Sequence, residues 1–188
     1  MKKFIKNSIL LCSAVILFSS CAGEDLDDDA DLLNTKMLVY INSQDLIGTW
    51  NLTVMQANTP VDLNDDGTSN TNLMAETSCF NVMSIDLRDD WTFTSVNSRI
   101  DLEAGETNDK FSCMTPRTDS GTWKVDGDSL TLNVNIGGTI YPHTKKITMK
   151  DNTFSFDVTK LESQQYVKDP GTTVVSGITV MYQTYTKF

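Results

Sequence analysis

Apolar and polar residues alternate along much of the chain, and this alternation indicates strands with one buried face. The clearest example is segment 129–136, whose apolar positions are Leu130, Leu132, Val134 and Ile136. Polar residues occupy the positions between them. Because successive side chains of a strand point to opposite faces, the segment has one dry side and one wet side. Phe154, Phe156 and Val158 repeat the pattern, which favours an antiparallel sheet.

Turn residues divide the chain beyond Gly48 into about eight such segments. The predicted strands are 48–55, 81–87, 91–97, 121–125, 129–136, 139–149, 154–158 and 173–185. Asp126-Gly127-Asp128, between two of them, is a strong hairpin signal. One-sided strands in this order can bury their apolar faces by closing into a barrel, which also removes exposed edges. We therefore predict an all-β, single eight-stranded antiparallel up-and-down barrel over 43–188, with a β-sandwich as the alternative.

The amino terminus has the order of a bacterial secretory signal. Three lysines precede an apolar run over 8–18, and two serines lead to Cys21. A run of about eleven residues is too short to cross a bilayer as a helix, which takes about 20, but it suits a signal peptide. The sequence Phe-Ser-Ser-Cys at 18–21 resembles the lipobox of bacterial lipoproteins. The resemblance implies cleavage after residue 20 and acylation of Cys21; plain secretion is the alternative.

An acidic segment follows Cys21. Residues 24–31 are almost all acidic, so they repel one another and cannot form a core. We predict an extended tether over 21–42 that includes a short helix near Leu32 to Tyr40, followed by a helical turn at 43–46 capped by Ser43. Acidic residues just after a lipidated cysteine also resemble the surface-export signals of some Gram-negative lipoproteins. The predicted location is the outer membrane, lipid-anchored and exposed at the cell surface, with its periplasmic face as the alternative.

Charge limits the possible partners. The chain has 15 basic and 25 acidic residues, a net charge of −10. Removal of 1–20 takes Lys2, Lys3 and Lys6 and no acidic residue, which changes the net charge to −13. Nucleic acid is excluded as a partner because phosphate binding needs clustered basic residues. The predicted contact with the membrane is the amino-terminal lipid.

Two of the four cysteines remain available for a disulfide. Cys12 is removed with the signal and Cys21 carries the lipid, so Cys79 and Cys113 are left in an oxidising compartment. We predict that these two residues form a disulfide bond.

Two Gly-Thr-Trp triplets point to a family. Gly48-Thr49-Trp50 at the start of the first strand resembles the Gly-x-Trp start of lipocalin-type barrels. The hairpin that begins at Gly121-Thr122-Trp123 is similar to hairpins of lipocalin-like domains in bacterial (Gram-negative) surface lipoproteins. The resemblance covers about 46–188. The sequence lacks two features of animal lipocalins, namely the Thr-Asp-Tyr triplet and a carboxy-terminal Arg placed to stack on Trp50. The resemblance implies a lipocalin-like barrel. Because tryptophans are large and apolar, we predict that Trp50 and Trp123 close one end of it; the alternative is that either residue stacks on a ligand.

One loop resembles the start of a calcium site. Asp62, Asn64 and Asp66 stand at positions 1, 3 and 5, a glycine follows at position 6, and Thr68 could offer its carbonyl. Position 12 is Leu73 instead of a bidentate Glu, and Glu76 lies three residues later. Weak Ca²⁺ binding is therefore one hypothesis, and an Asx-rich turn without metal is the other.

The residues for catalysis are few. His143 is the single histidine, which excludes a multi-histidine metal site, and no nucleophile elbow or phosphate-binding glycine loop occurs. We predict that the protein is not an enzyme and requires no cofactor. Two functions remain open. In the first, the barrel holds a small apolar ligand; in the second, it is filled, and loops 56–77 and 102–120 bind surface protein or glycan.

Overall fold

A computed structural model describes residues 40–103, 110–171 and 177–188 of the chain. The predicted signal peptide, Cys21 and most of the predicted tether lie outside the described residues. The helices are short: α1 is Ser43–Leu46, α2 is Leu73–Glu76 and α3 is Lys160–Ser163, with a 3-10 turn at Ser78–Phe80. Within the described part, no helix has the length and apolar content needed to cross a membrane.

Strands make up most of the described chain. They are β1 Gly48–Val61, β2 Asn70–Asn72, β3 Ser84–Leu87, β4 Thr92–Asn97, β5 Ile100–Glu103, β6 Lys110–Cys113, β7 Arg117–Asp126, β8 Ser129–Ile136, β9 Thr139–Lys146, β10 Thr148–Lys150, β11 Thr153–Asp157, β12 Val167–Lys168 and β13 Val180–Lys187. The main sheet has the order β10-β11-β13-β1-β3-β4-β7-β8-β9, with β2 added to β1. All its strand pairs are antiparallel.

The order of the main sheet shows that it curls into a barrel. Strands β9 and β10 lie at opposite ends of the hydrogen-bonded path, yet Ile147 alone separates them in sequence. The two edges of the sheet must therefore come together. If β9 and β10 count as one bent strand, the barrel has the predicted eight strands in up-and-down order. The predicted all-β lipocalin-like barrel is confirmed.

The structure differs from the sequence prediction in the segments that were predicted as loops. The predicted loops 56–77 and 102–120 contain the end of β1, all of β2 and β6, and the start of β7. Strand β1 continues past Met55: it stays paired with β13 as far as Ala57, across register shifts near Leu52 and Gln56, and its end at Val61 pairs with β2. A second sheet, in the order β12-β5-β6, pairs two distant segments in parallel. Such short, non-local strands leave little alternation to detect.

The predicted helical turn at 43–46 is confirmed as α1, but its capping residue and the start of β4 were each predicted wrongly by one residue. Asn42, rather than Ser43, caps α1, because the Asn42 side chain accepts a hydrogen bond of 3.0 Å from the Gln44 N–H. Strand β4 begins at Thr92 because Trp91 has a positive φ of 66°, which ends the extended conformation.

Large aromatic side chains fill one end of the barrel. Trp50, Phe93, Trp123 and Phe154 are all 2% exposed or less. Trp50 packs edge-to-face on Phe154, with ring centroids 4.8 Å apart. The pairing register places Gly48 opposite Leu87, Leu87 opposite Phe93, and Phe93 opposite Gly121. Both Gly-Thr-Trp triplets therefore lie at this end of the barrel.

Lys187 joins the last strand to the start of the first. Its Nζ lies 5.4 Å from the centre of the Trp50 ring and donates a hydrogen bond to the Ile47 carbonyl. Trp50 itself donates to the Leu46 carbonyl at 2.8 Å. Gly48 has a positive φ of 135°, and a Cβ there would lie 2.7 Å from Lys187 Cε. The positive φ favours glycine at this position, and a Cβ here would displace the lysine stem.

The predicted disulfide is confirmed. Cys79 and Cys113 are bonded, with their Cα atoms 5.2 Å apart and a sequence separation of 34. The bond ties the 3-10 turn to β6, the edge strand of the second sheet. It thus fixes the second sheet to the segment that follows β1.

We predict that Gly121→Ala strongly destabilises the barrel. A Cβ at this position would lie 1.9 Å from the backbone oxygen of Asn133 on β8 and 3.2 Å from the Phe93 ring, so the β7–β8 pair must separate. The expected loss is about 2–4 kcal/mol of unfolding free energy, measured by chemical denaturation. Ser120→Ala, at an exposed neighbour on the same strand, is the control and should change stability by less than about 0.5 kcal/mol. Equal stability of the two variants would contradict the close packing of these strands.

A cavity in the open half of the barrel

A cavity of about 680 Å³ occupies the end of the barrel opposite the aromatic cluster. Its apolar wall consists of Ile85, Leu130, Leu132, Val134, Phe156 and Tyr185, with Ile136, Met114 and Tyr141 at the mouth. The β8 members are the same alternating residues that predicted a one-sided strand. The alternation places these side chains inside the barrel. Because they are smaller than the aromatic rings at the other end, they leave space unfilled.

Paired charges surround the mouth of the cavity. Arg117 Nη2 lies 2.9 Å from Asp119 Oδ2, and both residues line the cavity. Arg99 Nε lies 2.6 Å from Asp101 Oδ1. On the other side, Lys145 of β9 pairs with Glu162 of α3. The charges of the mouth therefore neutralise one another locally.

Helix α3 is held beside the cavity by its cap. Thr159 and Glu162 form a capping box, in which each side chain accepts a hydrogen bond from the backbone N–H of the other residue. His143 Nε2 lies 3.8 Å from Glu162 Oε1. Burial disfavours ionisation of Glu162, but hydrogen bonds from Lys145 and Thr159 outweigh that effect and lower its pKa from 4.5 to about 2. Glu162 therefore stays charged and links α3 to β9.

A group of buried neutral polar side chains lies at the cavity wall. Gln183 is fully buried, and its Oε1 accepts a hydrogen bond of 3.3 Å from the Tyr185 hydroxyl. Tyr166 lines the cavity together with Tyr185. Burial raises the pKa of both tyrosines, so both stay protonated at neutral pH. Ser98, 4% exposed, is a further polar residue of the wall.

The two predicted tryptophans lie away from the cavity. Trp50 and Trp123 are among the large side chains at the filled end, and neither is a lining residue. Trp123 donates a hydrogen bond of 2.9 Å to the Arg88 carbonyl and packs on Trp91, with centroids 4.9 Å apart. Their position agrees with the role of closing one end of the barrel.

The Asp62 loop is closed by hydrogen bonds to its own backbone. Asp62 accepts from the N–H groups of Asp66 and Gly67 at 3.1 Å and 2.9 Å. Asn64 accepts from Asp66 at 3.1 Å, and Asp66 accepts from Thr68 at 2.7 Å. These are Asx-turn interactions, which the same residues form without a metal.

Glu76 returns to this loop although it lies well beyond the expected ligand position. It is 1% exposed and accepts hydrogen bonds from the Leu63 N–H and from Asn70 Nδ2. Across the described ranges, no cluster of three or more acidic, His or Cys side chains is placed to hold a metal ion. Calcium binding by Asp62, Asn64, Asp66 and Thr68 stays a prediction.

Sequence reasoning missed most of the polar residues of the cavity. Ser95 and Asn97 line the cavity from β4, whose other inward residue, Phe93, is apolar. Polar residues at such positions were the signal that could have indicated the cavity. In a barrel interior filled with side chains, burying polar groups costs free energy. Arg117 and Tyr166 lie in segments predicted as loops, so alternation could not place them.

We predict that the stability contributed by Glu162 depends on pH. Its pKa is lowered on folding, so this contribution is present above pH 4.5 and is lost as the pH falls towards about 2. Glu162→Gln keeps the capping geometry and should cost about 1–2 kcal/mol near pH 7, allowing for solvent screening. Urea unfolding from pH 7 to pH 2 measures the difference. Asp157→Asn, at an exposed carboxylate, is the control, and a pH-independent cost of Glu162→Gln would contradict the charge-based role.

Comparison with known families agrees with this architecture. A family model described as a lipocalin-like domain matches residues 46–156, more than half of the chain. Neither the curated proteins nor the solved structures gave a match. Lipocalin-like domains are generally binding folds without catalytic activity. On the family match and the closed up-and-down barrel together, the chain belongs to the family of lipocalin-like domains.

Proposed function

We propose that the protein is a non-catalytic binding protein that holds a small, largely apolar molecule in the open half of its barrel. The cavity of about 680 Å³ is the observation that carries this proposal. Its volume lies in the range of pockets that enclose small ligands, roughly 300–1,000 Å³. The wall is mostly apolar, with a few polar groups, which is the usual composition of such sites.

The alternative function is a filled barrel that acts as an interaction module. It accounts for the aromatic end, where Trp50, Phe93 and Phe154 leave no space. It does not account for the other end, where Leu132, Val134 and Phe156 face an open volume. The partly filled interior therefore favours a binding site for a small molecule.

We predict that Val134→Trp blocks the cavity. The indole would occupy space beside Leu132, and the affinity for Nile red, a neutral apolar dye, should fall at least about 10-fold in a fluorescence titration. Lys124→Trp adds the same group on the exposed face of β7 and is the control. Unchanged dye binding by Val134→Trp, with an unchanged melting temperature, would contradict binding at this site. Absence of dye binding by the unmodified protein would favour the filled-barrel alternative.

We further propose that the barrel is attached to the outer membrane by lipid on Cys21. The order of basic, apolar and small residues before this cysteine supports the proposal, as does the acidic segment after it. Several acyl chains would anchor the protein firmly, whereas one chain alone binds only marginally. Exposure at the cell surface is part of the same proposal.

Cys21→Ala should release the protein from membranes. The substitution removes the atom that would carry the lipid, so the protein should move from the detergent phase to the aqueous phase in Triton X-114 partitioning. Cys12→Ala, within the predicted signal peptide, is the control and should leave partitioning unchanged. Retention of the Cys21→Ala protein in the detergent phase would contradict lipid anchoring.

A further inference from the structure

The wall of the cavity is incomplete on the side formed by β9. Tyr141, His143 and Lys145 of this strand line the cavity. Even so, Tyr141 is 52% exposed and the His143 side chain is 48% exposed. Val134 and Leu132, which lie opposite these two residues on β8, are half-buried. The cavity therefore borders solvent along the gap between β9 and α3, which we call the side gap.

The backbone of β9 is paired on one edge. Within the described residues it pairs with β8 and forms no ladder with β11. The Ile147 N–H, one residue beyond β9, donates a hydrogen bond to the Asp128 carbonyl. Because this orientation alternates along an antiparallel pair, the even-numbered backbone groups of β9 face the side gap. Pro142 is one of them and has no N–H to donate, so it interrupts any ladder that would close the gap.

The opposite border of the side gap is fixed. Helix α3 is held on β13, because the Val180 N–H donates a hydrogen bond of 2.8 Å to Ser163 Oγ. Tyr166 follows the helix and lines the cavity, and its carbonyl accepts a hydrogen bond of 2.9 Å from the Ile100 N–H of the second sheet. The disulfide in turn fixes that sheet. Strand β9 is therefore the border that can move.

Lys145 joins the two borders. Its Nζ pairs with Glu162 of α3, donates a hydrogen bond of 2.9 Å to the Asp157 carbonyl and lies 5.6 Å from the centre of the Phe156 ring. His143 adds a longer contact, 3.8 Å from Glu162. In the part of the chain that the structure describes, separation of β9 from α3 breaks these contacts but no backbone–backbone hydrogen bond. Such a border can open locally while the rest of the fold persists.

We propose that a ligand enters and leaves the cavity through the side gap, and that Lys145 holds this gap closed. When the Lys145 contacts break, the β8–β9 hairpin moves away from α3 and the ligand passes between them. Loss of these contacts speeds both entry and exit, because both use the same gap. This proposal rests on the binding function proposed above and specifies the route to the cavity.

Two adjacent lysines of β9 provide a matched test. Lys145 spans the side gap, whereas Lys146 pairs with Asp128 on the β8 side and is not part of the described cavity wall. Stopped-flow fluorescence measures the association and dissociation of Nile red in the Cys21→Ala background, which avoids detergent that would compete for the dye. We expect Lys145→Met to raise both rate constants about 3- to 10-fold, as an ion pair and a cation–π contact are lost. Lys146→Met should leave both unchanged.

A covalent bridge across the side gap tests the route directly. His143→Cys combined with Glu162→Cys places thiols on β9 and α3, and dibromobimane joins two neighbouring thiols. Before treatment this protein lacks the Lys145–Glu162 pair and should exchange Nile red faster than the protein without these two substitutions. After bridging, both rate constants should fall at least about 10-fold, because the gap can no longer open. Glu162→Cys alone cannot form the bridge, so the same reagent should leave its rate constants unchanged.

The outcomes separate this proposal from the one on which it rests. If Nile red binds and the bridge leaves its rate constants unchanged, the ligand uses another route and the side gap is wrong, although the binding function stands. Faster dissociation of Lys145→Met with unchanged association also overturns the proposal, since Lys145 then contacts the dye instead of closing the gap. A lower melting temperature of this variant with unchanged rate constants shows a structural role alone. If Nile red does not bind at all, the binding function itself fails.

Discussion

The width of a closed eight-stranded barrel limits how many side chains its interior can hold, and the rest of this structure follows from that limit. Such an interior is just wide enough to be filled by side chains or to enclose one small molecule. Here the same strands do both. Strand β4 places Phe93 at one end and Ser95 and Asn97 at the other, and β7 places Trp123 at one end and Asp119 at the other. The size of inward side chains along each strand therefore decides where the cavity lies.

The filled end also secures the closure of the barrel. Trp50 and Trp123 both direct their indole N–H groups to backbone carbonyls, so their burial leaves neither donor unsatisfied. Lys187 covers the Trp50 ring and donates to a carbonyl beyond α1, which connects the last strand to the start of the first. The lysine stem crosses the chain where a side chain at position 48 would otherwise begin, and the positive φ of Gly48 suits glycine there. A sequence search for a carboxy-terminal arginine overlooks this contact, since a lysine makes it.

Alternation predicted the barrel because it records which face of each strand is buried. The eight predicted strands correspond to β1, β3, β4, β7, β8, the β9–β10 pair, β11 and β13. The disulfide followed from counting the cysteines that remain available. The second sheet was missed because β12 has two residues and pairs in parallel with distant β5, so local sequence carries little information about it. The sequence left open whether the barrel is hollow or filled, because periodicity tells which residues face inward, whereas their combined volume depends on all eight strands together.

One seam of the barrel wall depends on side chains instead of backbone hydrogen bonds. Within the described ranges no ladder joins β9 to β11, although the two strands lie next to each other. Lys145 of β9 spans this seam: its Nζ donates to the Asp157 carbonyl at 2.9 Å, pairs with Glu162, and lies 5.6 Å from the centre of the Phe156 ring. Ionic and cation–π contacts of one side chain constrain two strands less than a continuous ladder does. Because Lys145 and Phe156 also line the cavity, the least constrained part of the wall is the part that borders the space for a ligand.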